Sequence, residues 1–447
     1  MAFTLDAFEK TLAAVVAEGP SRRFVVALSG GLDSTVALSA LLATSVAASV
    51  RAIHVDHGLH PDSVEWRRHC RDVCADLNVP FSDAAISVCP GRGESPEEAA
   101  RLARYRCLEH DLAEGETLVT GHHADDQLET VLLQLLRGAG PAGLAAMPML
   151  ADFGRGQLCR PLLGFRRTEL ATWAESRHLT WLEDPSNRET GFDRNYLRHH
   201  VVPRLQGRWP AAALSAVRSA RLCGEAAGLL ETLADIDLRP LSAAGRLDVE
   251  GVRALPPNRQ RNLLRRWMNR SGLTTPDARR LNSILSDVLG ARSDRCPEVR
   301  WRGGAVRRYR GKLYALDGAT LQTLDQPELD ERWDPAAVLD LGPGRGRLGL
   351  MPADGPGLDA ARLGREPLFV RSRRGGERIA LPGREGSRSV KKLLQEAGVP
   401  PWWRPHVPLI WQGDRLLAVA DLWYSAEAWS GDAAGHRILW EERPEIS

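Results

Sequence analysis

No apolar run in this chain approaches the roughly 18–20 residues that a membrane-spanning helix needs, so no helical membrane span is expected. The opening Met1-Ala2-Phe3-Thr4-Leu5-Asp6 has no basic region ahead of an apolar stretch, which argues against a secretory leader and makes a cytoplasmic location the default. Cysteine is sparse: Cys70, Cys74, Cys89, Cys107, Cys159, Cys223 and Cys296 are odd in number and scattered. That pattern argues against a disulfide framework. No two of them stand as Cys-x-x-Cys, which removes the spacing of zinc knuckles, iron–sulfur sites and redox pairs. Lysine is scarce beside arginine, and the net charge of +2 predicts no nucleic-acid partner by itself. Two common nucleotide signatures are also missing, since no Gly-Lys-Ser/Thr follows the glycine loop described below and no Gly-x-Gly-x-x-Gly stands there.

What is present belongs to an ordinary globular protein, 43% hydrophobic and 26% charged. At 447 residues it is too long for one core, so two or three domains are expected. Strand and helix signals alternate over the first part of the chain. Phe24 to Leu28 is a short apolar β run ahead of a helical pattern from Ser34 to Leu42. Val50 to Val55 precedes a helix from about Asp62 to Leu77, and Thr117 to Thr120 precedes one from about Asp125 to Leu136. Such alternation predicts right-handed crossovers and an α/β, doubly wound parallel sheet, which binds ligands at the carboxyl ends of its strands. Asp193 to Leu205 reads as a basic helix, and the chain from about Pro210 to Ile284 as mainly helical. A Gly/Pro-rich stretch at Leu341 to Gly346 marks a boundary, and the part from about Pro367 onward reads as mixed α/β. The expected domains are therefore 1–205, 206–335 and 336–447.

The strongest motif is Ser29-Gly30-Gly31-Leu32-Asp33-Ser34-Thr35, directly after the first strand and opening a helix. Adjacent glycines let a backbone approach phosphate closely. The hydroxyls of Ser29, Ser34 and Thr35 stand beside free amides at a helix N-terminus, where anions are attracted. Asp33 suits a magnesium ion better than a phosphate, because like charges repel. The segment resembles the PP-loop of the ATP pyrophosphatases, which implies ATP cleaved between its α and β phosphates. His54, ending the second strand, resembles that family's adenine-side segment. In Ala100-Arg101-Leu102-Ala103-Arg104-Tyr105, Arg101 and Arg104 are three apart on a helix and can reach one phosphate; a surface ion-pair role is the alternative.

The second strong motif is Gly121-His122-His123-Ala124-Asp125-Asp126-Gln127-Leu128-Glu129-Thr130. Helical spacing puts His122, Asp125, Asp126 and Glu129 on one face. Three carboxylates there repel unless cations compensate, and ATP-bound magnesium is the natural compensator; a solvated acidic face is the plainer account. The family's Gly-His-x-x-Asp-Asp-x-x-Glu-Thr pattern is matched throughout, which implies Gly121 beside the nucleotide. The metal set expected is Asp33 with Asp126, and Asp125 as the alternate; His122 or His123 is expected to take a proton.

Two more stretches narrow the resemblance to the lysidine synthases among PP-loop enzymes. One is Trp181-Leu182-Glu183-Asp184-Pro185-Ser186-Asn187 followed by Phe192-Asp193-Arg194-Asn195-Tyr196-Leu197-Arg198. In it Glu183 and Asp184 suit an ammonium, and Arg194 and Arg198 a carboxylate or phosphate. Glu129, Asn187 and Asn195 complete this tentative substrate set. The other is the C-terminal part, with Arg371, Arg373, Arg374, Arg378, Arg384, Arg388, Lys391 and Lys392 clustered as a phosphate-binding surface would require. The resemblance implies ATP and Mg2+ as cofactors, with free lysine and an isoleucine tRNA carrying cytidine at the first anticodon position as partners. It implies tRNA contact by the middle and C-terminal domains, and it leaves assembly into a homodimer open. The missing Cys-x-x-Cys speaks against a thiolase of the same superfamily, and the intact acidic residues speak against a relic that only binds RNA.

Overall fold

The computed structural model describes residues 3–18, 22–56, 58, 63–86, 96–183, 192–292, 295–359, 363, 366–431 and 435–444. The chain forms two compact units, Met1–Leu230 and Glu231–Ser447.

The first unit is built on six strands: β1 (Arg23–Ala27), β2 (Ser49–Asp56), β3 (Phe81–Ala85), β4 (Thr117–Val119), β5 (Leu150–Phe153) and β6 (Gly156–Cys159). Their spatial order is β3-β2-β1-β4-β6-β5. All neighbours run parallel except the β5–β6 hairpin at one edge. β1 is buried on both faces: Phe24 and Val26 face one hydrophobic cluster and Val25 the other. A β-branched, apolar run covered on both sides is what a central parallel strand requires. Around the sheet run α1 (Leu5–Glu18), α2 (Leu32–Leu42), α3 (Ser63–Asp76), α4 (Pro96–Asp111), α5 (Ala124–Leu136), the short α6 (Pro141–Leu144) and α7 (Arg167–Ser176). Leu12 of α1, Leu38 of α2 and Leu170 of α7 cover one face of the sheet, while Leu108 of α4 and Leu112 just after it cover the other. Then come α8 (Asp193–Tyr196), a π turn (Leu197–Val201), α9 (Val202–Arg208) and the long α10 (Ala212–Leu241). The expected basic helix near residue 193 is thus present, broken by a π turn, a feature often found at functional sites.

The order of the strands decides where a ligand can sit. From β1 the chain moves to β2 on one side, whereas β4 pairs with β1 on the other. The carboxyl ends of β1 and β4 therefore flank the reversal point, where such sheets open a crevice. The glycine loop follows β1 and the acidic helix follows β4.

In the second unit, helices cover most of the chain to residue 289 and pack on a five-stranded antiparallel sheet drawn from residues 242–316. Beyond it are an antiparallel five-stranded sheet, a three-stranded sheet, a two-stranded ribbon (Arg378–Ala380 with Ser387–Ser389) and the helix Val390–Glu396. Trp403 lies in that core and Trp402 packs against it.

Candidate active site

The loop after β1 is held by its own hydroxyls. Gly30 has φ +84°, and a Cβ there would stand 3.1 Å from Cys70 Sγ, so both conformation and space call for glycine. Ser34 Oγ and Thr35 Oγ1 each donate to Gly31 O at 3.0 Å, and the Ser29 and Ser34 hydroxyls meet at 3.0 Å. Gly31 caps α2 with no side-chain bond, leaving the first amides of the helix for a ligand. Ser29, Gly31, Leu32, Asp33 and Ser34 line a cavity of about 780 Å3, while Gly30 and Thr35 stand behind its wall.

The two motifs meet at Gly121. A Cβ there would lie 2.7 Å from the backbone carbon of Asp33 and 2.8 Å from Ser34 N. Only a residue without a side chain lets the turn after β4 rest on the first turn of α2. His123 then caps α5: its backbone N donates to Asp126 Oδ2 at 3.0 Å, and Asp126 N donates back to His123 Nδ1 at 3.4 Å. The other ring nitrogen, Nε2, stands 3.6 Å from Asp33 Oδ2 and 3.4 Å from Asp126 Oδ2. The imidazole thus bridges the two carboxylates.

The acidic face is compensated differently from expectation. Arg194 Nε donates to Glu129 Oε2 at 2.8 Å, and Arg198 Nε to Glu129 Oε1 at 2.7 Å. Both arginines also reach Asp126 Oδ1, at 3.2 and 3.1 Å. Burial pushes the Asp126 carboxyl up, but His123, Arg194 and His122 outweigh it and hold it below its ordinary value. Asp125 is taken by Gln206 Nε2 at 2.6 Å and Arg167 N at 2.8 Å. Protein cations and donors from residues 167–206 therefore neutralise this helix face, and of the three expected metal carboxylates Asp33 is the one with an unpartnered oxygen. Asp33 Oδ1 is buried with no hydrogen-bond partner, and burial followed by the nearby Asp126 pushes its carboxyl up, against His123, Arg167 and Arg198. Among the described residues no group of three or more His, Cys, Asp or Glu forms a cage for a metal. One carboxylate with an unpartnered oxygen still fits a magnesium ion carried on a triphosphate, which takes one or two carboxylates and fills its shell with phosphates and water.

His122, one of the two histidines expected to take a proton, lines the cavity and is already hydrogen-bonded. Its Nδ1 is 2.8 Å from Thr120 Oγ1, and burial pushes the imidazole down to about 3, which makes it a weak base. His54 is buried, with Nδ1 donating to Leu28 O at 2.8 Å, so it ties the ends of β1 and β2 at the cavity wall. The guanidiniums of Arg101 and Arg104 both lie against Tyr105, at 5.5 and 5.7 Å from its ring, and of the two only Arg104 lines the cavity.

Glu183 and Arg198 line the cavity, whereas Arg194 and Asn195 lie behind it. Asp184 and Asn187 fall outside the described residues. Arg378, Lys391 and Lys392 belong to the second unit, where Arg378 Nε donates to Ser387 Oγ at 2.8 Å and both lysines are exposed. Within the basic stretch there, Arg371, Arg373, Arg374 and Arg388 are paired with Asp330, Glu377, Glu328 and Glu396, which reduces the free positive charge. Several cavity residues carry no motif signal in the sequence, among them Gln206 and Trp66. Cys70, Cys74 and Cys159 are free and buried, with thiols pushed up to about 12, 11 and 12 by burial, consistent with inert core positions.

Residues 4–205 match the family model of the PP-loop domain, residues 247–314 that of the TilS substrate binding domain, and residues 368–440 that of the TilS substrate C-terminal domain. A tRNA(Ile)-lysidine synthase of Methylococcus capsulatus is 42% identical over 440 residues, covering 96% of this chain and 97% of that protein. The enzyme of the same name from Alkalilimnicola ehrlichii is 42% identical over 99% of both chains, and that of Coxiella burnetii 40% identical over 92% and 91%. Identity at this level, sustained from one end of the chain to the other and spanning both the crevice and the second unit, means that the chain belongs to the tRNA(Ile)-lysidine synthase family.

Proposed function

We propose that this protein joins free lysine to C2 of the cytidine at the first anticodon position of isoleucine tRNA, using ATP. In the first step the cytidine O2 attacks the α-phosphorus and pyrophosphate leaves. In the second the lysine ε-amine attacks C2, AMP leaves with the oxygen, and lysidine remains. Adenylation is required because a carbonyl oxygen is a poor leaving group. The observation that carries this reading is the meeting of the glycine loop and the acidic helix at Gly121, which sets Asp33 and Asp126 on one imidazole at the mouth of one crevice.

The chain's own groups divide the work. The first amides of α2, with Ser29 and Ser34, receive the phosphates that leave as pyrophosphate, where a preorganised positive end lowers the cost of developing charge. Asp33, with its unpartnered Oδ1, is the residue that would hold magnesium. A magnesium ion there would neutralise phosphate charge and fix the triphosphate's orientation. His123 keeps Asp33 and Asp126 in register. Residues 1–205 then form the catalytic domain. The segments 206–335 and 336–447, which contain the other two matched families, hold the tRNA, with Arg378, Lys391 and Lys392 among its phosphate contacts.

Incubation with isoleucine tRNA, labelled lysine and ATP tests this. The expected result is label on one anticodon cytidine with equal amounts of AMP and pyrophosphate; pyrophosphate release without lysine transfer, or no release at all, overturns it.

A further inference from the structure

We propose that the outward face running from α8 through the π turn to α9 seats the RNA loop around the reacting cytidine. Tyr196 stacks on a base beside that cytidine, and Arg204 and Arg208 receive backbone phosphates. The inference rests on the ligase reading and adds to it a surface and three residue roles.

A base reacts inside a cavity only after leaving its stack, so the nucleotides beside it stay outside, over the rim. Single-stranded RNA of this kind is held by aromatic rings, on which any base can stack, and by cations along its backbone. Both are gathered on this segment. The chain has thirteen Trp, five Tyr and eight Phe. Among the described residues the exposed ones are Phe192, Tyr196 and Trp209, and all three lie on the segment or at its ends. His199 and Pro203 are exposed and also line the cavity, so the segment forms part of the rim. Tyr196, His200, Arg204 and Arg208 follow at four-residue steps, which keep to one side of a helix, and all four are exposed.

The arginines of the segment divide between two tasks. Arg194 and Arg198 turn inward to Glu129 and Asp126. Arg204 and Arg208 make no ion pair with any carboxylate among the described residues, and the only carboxylate between residues 192 and 211 is Asp193. Their charge therefore stays available to a polyanion. In the basic stretch of the second unit, by contrast, Arg371, Arg373, Arg374 and Arg388 each hold a carboxylate. Tyr196 is braced by His200, with ring centroids 5.0 Å apart and planes tilted by 46°. A ring already held in place loses less freedom when a base arrives. Aromatic rings with arginine also suit a protein interface, and the salt dependence of RNA binding separates the two.

A fluorescent stem-loop carrying the anticodon sequence of the isoleucine tRNA, titrated with the full-length protein without ATP or lysine, tests the surface. Y196A should raise the Kd about 10-fold, as for loss of one base–aromatic stack, and Y196F should bind like the parent. An abasic nucleotide on one side of the cytidine should cost the parent about as much and cost Y196A nothing further. In R204Q/R208Q the slope of log Kd against log salt concentration should fall by about 1.4, at roughly 0.7 per phosphate of a single strand. All these variants should melt at the parent's temperature, because the altered side chains are exposed. A lower Tm accompanying weaker binding marks a structural role and overturns the proposal. So does an unchanged Kd in Y196A or an unchanged salt slope in R204Q/R208Q, either of which leaves the face to a protein partner. If the parent makes no lysidine yet binds the stem-loop through Tyr196, the ligase reading fails and the surface stands. If lysidine forms while the variants bind RNA like the parent, the ligase reading stands and the surface falls.

Discussion

The two ends of the crevice solve the same electrostatic problem in opposite ways. At the loop end, glycines, hydroxyls and helix amides stand beside one aspartate, whose Oδ1 has no partner and whose Oδ2 faces only His123 at 3.6 Å and Arg167 at 4.0 Å. At the helix end, charge is dense and already balanced, with Glu129 and Asp126 held by two arginines, and Asp125 by Gln206 and the Arg167 amide. The first end is built to acquire a ligand's charge; the second is built to hold the cavity's wall together. Substitutions at the two ends should therefore separate activity from stability.

The largest effect is expected at Asp33. D33N should lower turnover by on the order of 10^3-fold, comparable to loss of a key electrostatic group, with no loss of fold. The sign follows from its pKa. A folded-state value above the unfolded one means the folded chain binds protons more readily in that window, so stability falls as pH rises through it. At neutral pH the ionised carboxylate is then a burden on the fold, which Asn removes. Steady-state pyrophosphate release and a melting curve together check this; a lower Tm in D33N would show that the loop end also depends on its charge for folding.

Next comes Glu129, at the other end. E129A strips the main partner from Arg194 and Arg198 in a site where the carboxylate is 2% exposed. Removing one member of a buried ion pair costs about 3–5 kcal/mol, and because Asp126 still accepts from both arginines the lower end of that range is expected. Denaturant unfolding measures it, and a change below about 1 kcal/mol would erase the contrast between the two ends.

This contrast also explains what is legible in the sequence. The loop end is local: glycines, hydroxyls and Asp33 occupy consecutive positions, so strand, turn and helix signals locate them together. The parallel strands β1, β2 and β4 are legible for the same reason, as apolar runs with helices behind them. The helix end is assembled from residues 42 to 81 positions apart. Spacing within α5 shows which carboxylates share a face but not what neutralises them, and magnesium stands in for arginines that arrive from α8 and the π turn. Likewise β3, with the short, weakly apolar sequence Phe81–Ala85, and the β5–β6 hairpin lack the long β-branched run that marks β1. The spacing of Arg101 and Arg104 makes them neighbours on one helix, but does not show that both guanidiniums lie against Tyr105 or that only Arg104 of the two lines the cavity.

A smaller effect is expected where the ends touch. G121A places a methyl group against the Asp33–Ser34 backbone, which cannot swing aside as a side chain can. Overpacking of this kind costs about 1–3 kcal/mol. Because the displaced atoms carry the loop amides and Asp33, the KM for ATP should rise together with the loss of stability, which E129A is not expected to share. Equal KM values in the two variants would mean that the ends are coupled more tightly than their chemistry implies.

The smallest effect lies in the second unit and tests whether buried histidines behave there as in the crevice. His406 is 8% exposed, its Nδ1 lies 3.3 Å from Arg345 Nη2, and burial followed by that guanidinium pushes it down to about 4. An unfolded histidine titrates near 6.5. Between those two values the unfolded chain binds a proton that the folded chain refuses, so stability rises with pH through the window and is lost on acidification. Gln at 406 keeps a polar group beside Arg345 and removes the titration. Melting at pH 7 and pH 5 should show a larger drop for the parent than for H406Q, with the residual drop in H406Q reflecting His122, pushed down to about 3 in the first unit. Identical drops in the two proteins would mean that His406 takes up its proton without unfolding, through movement of Arg345 away from the ring.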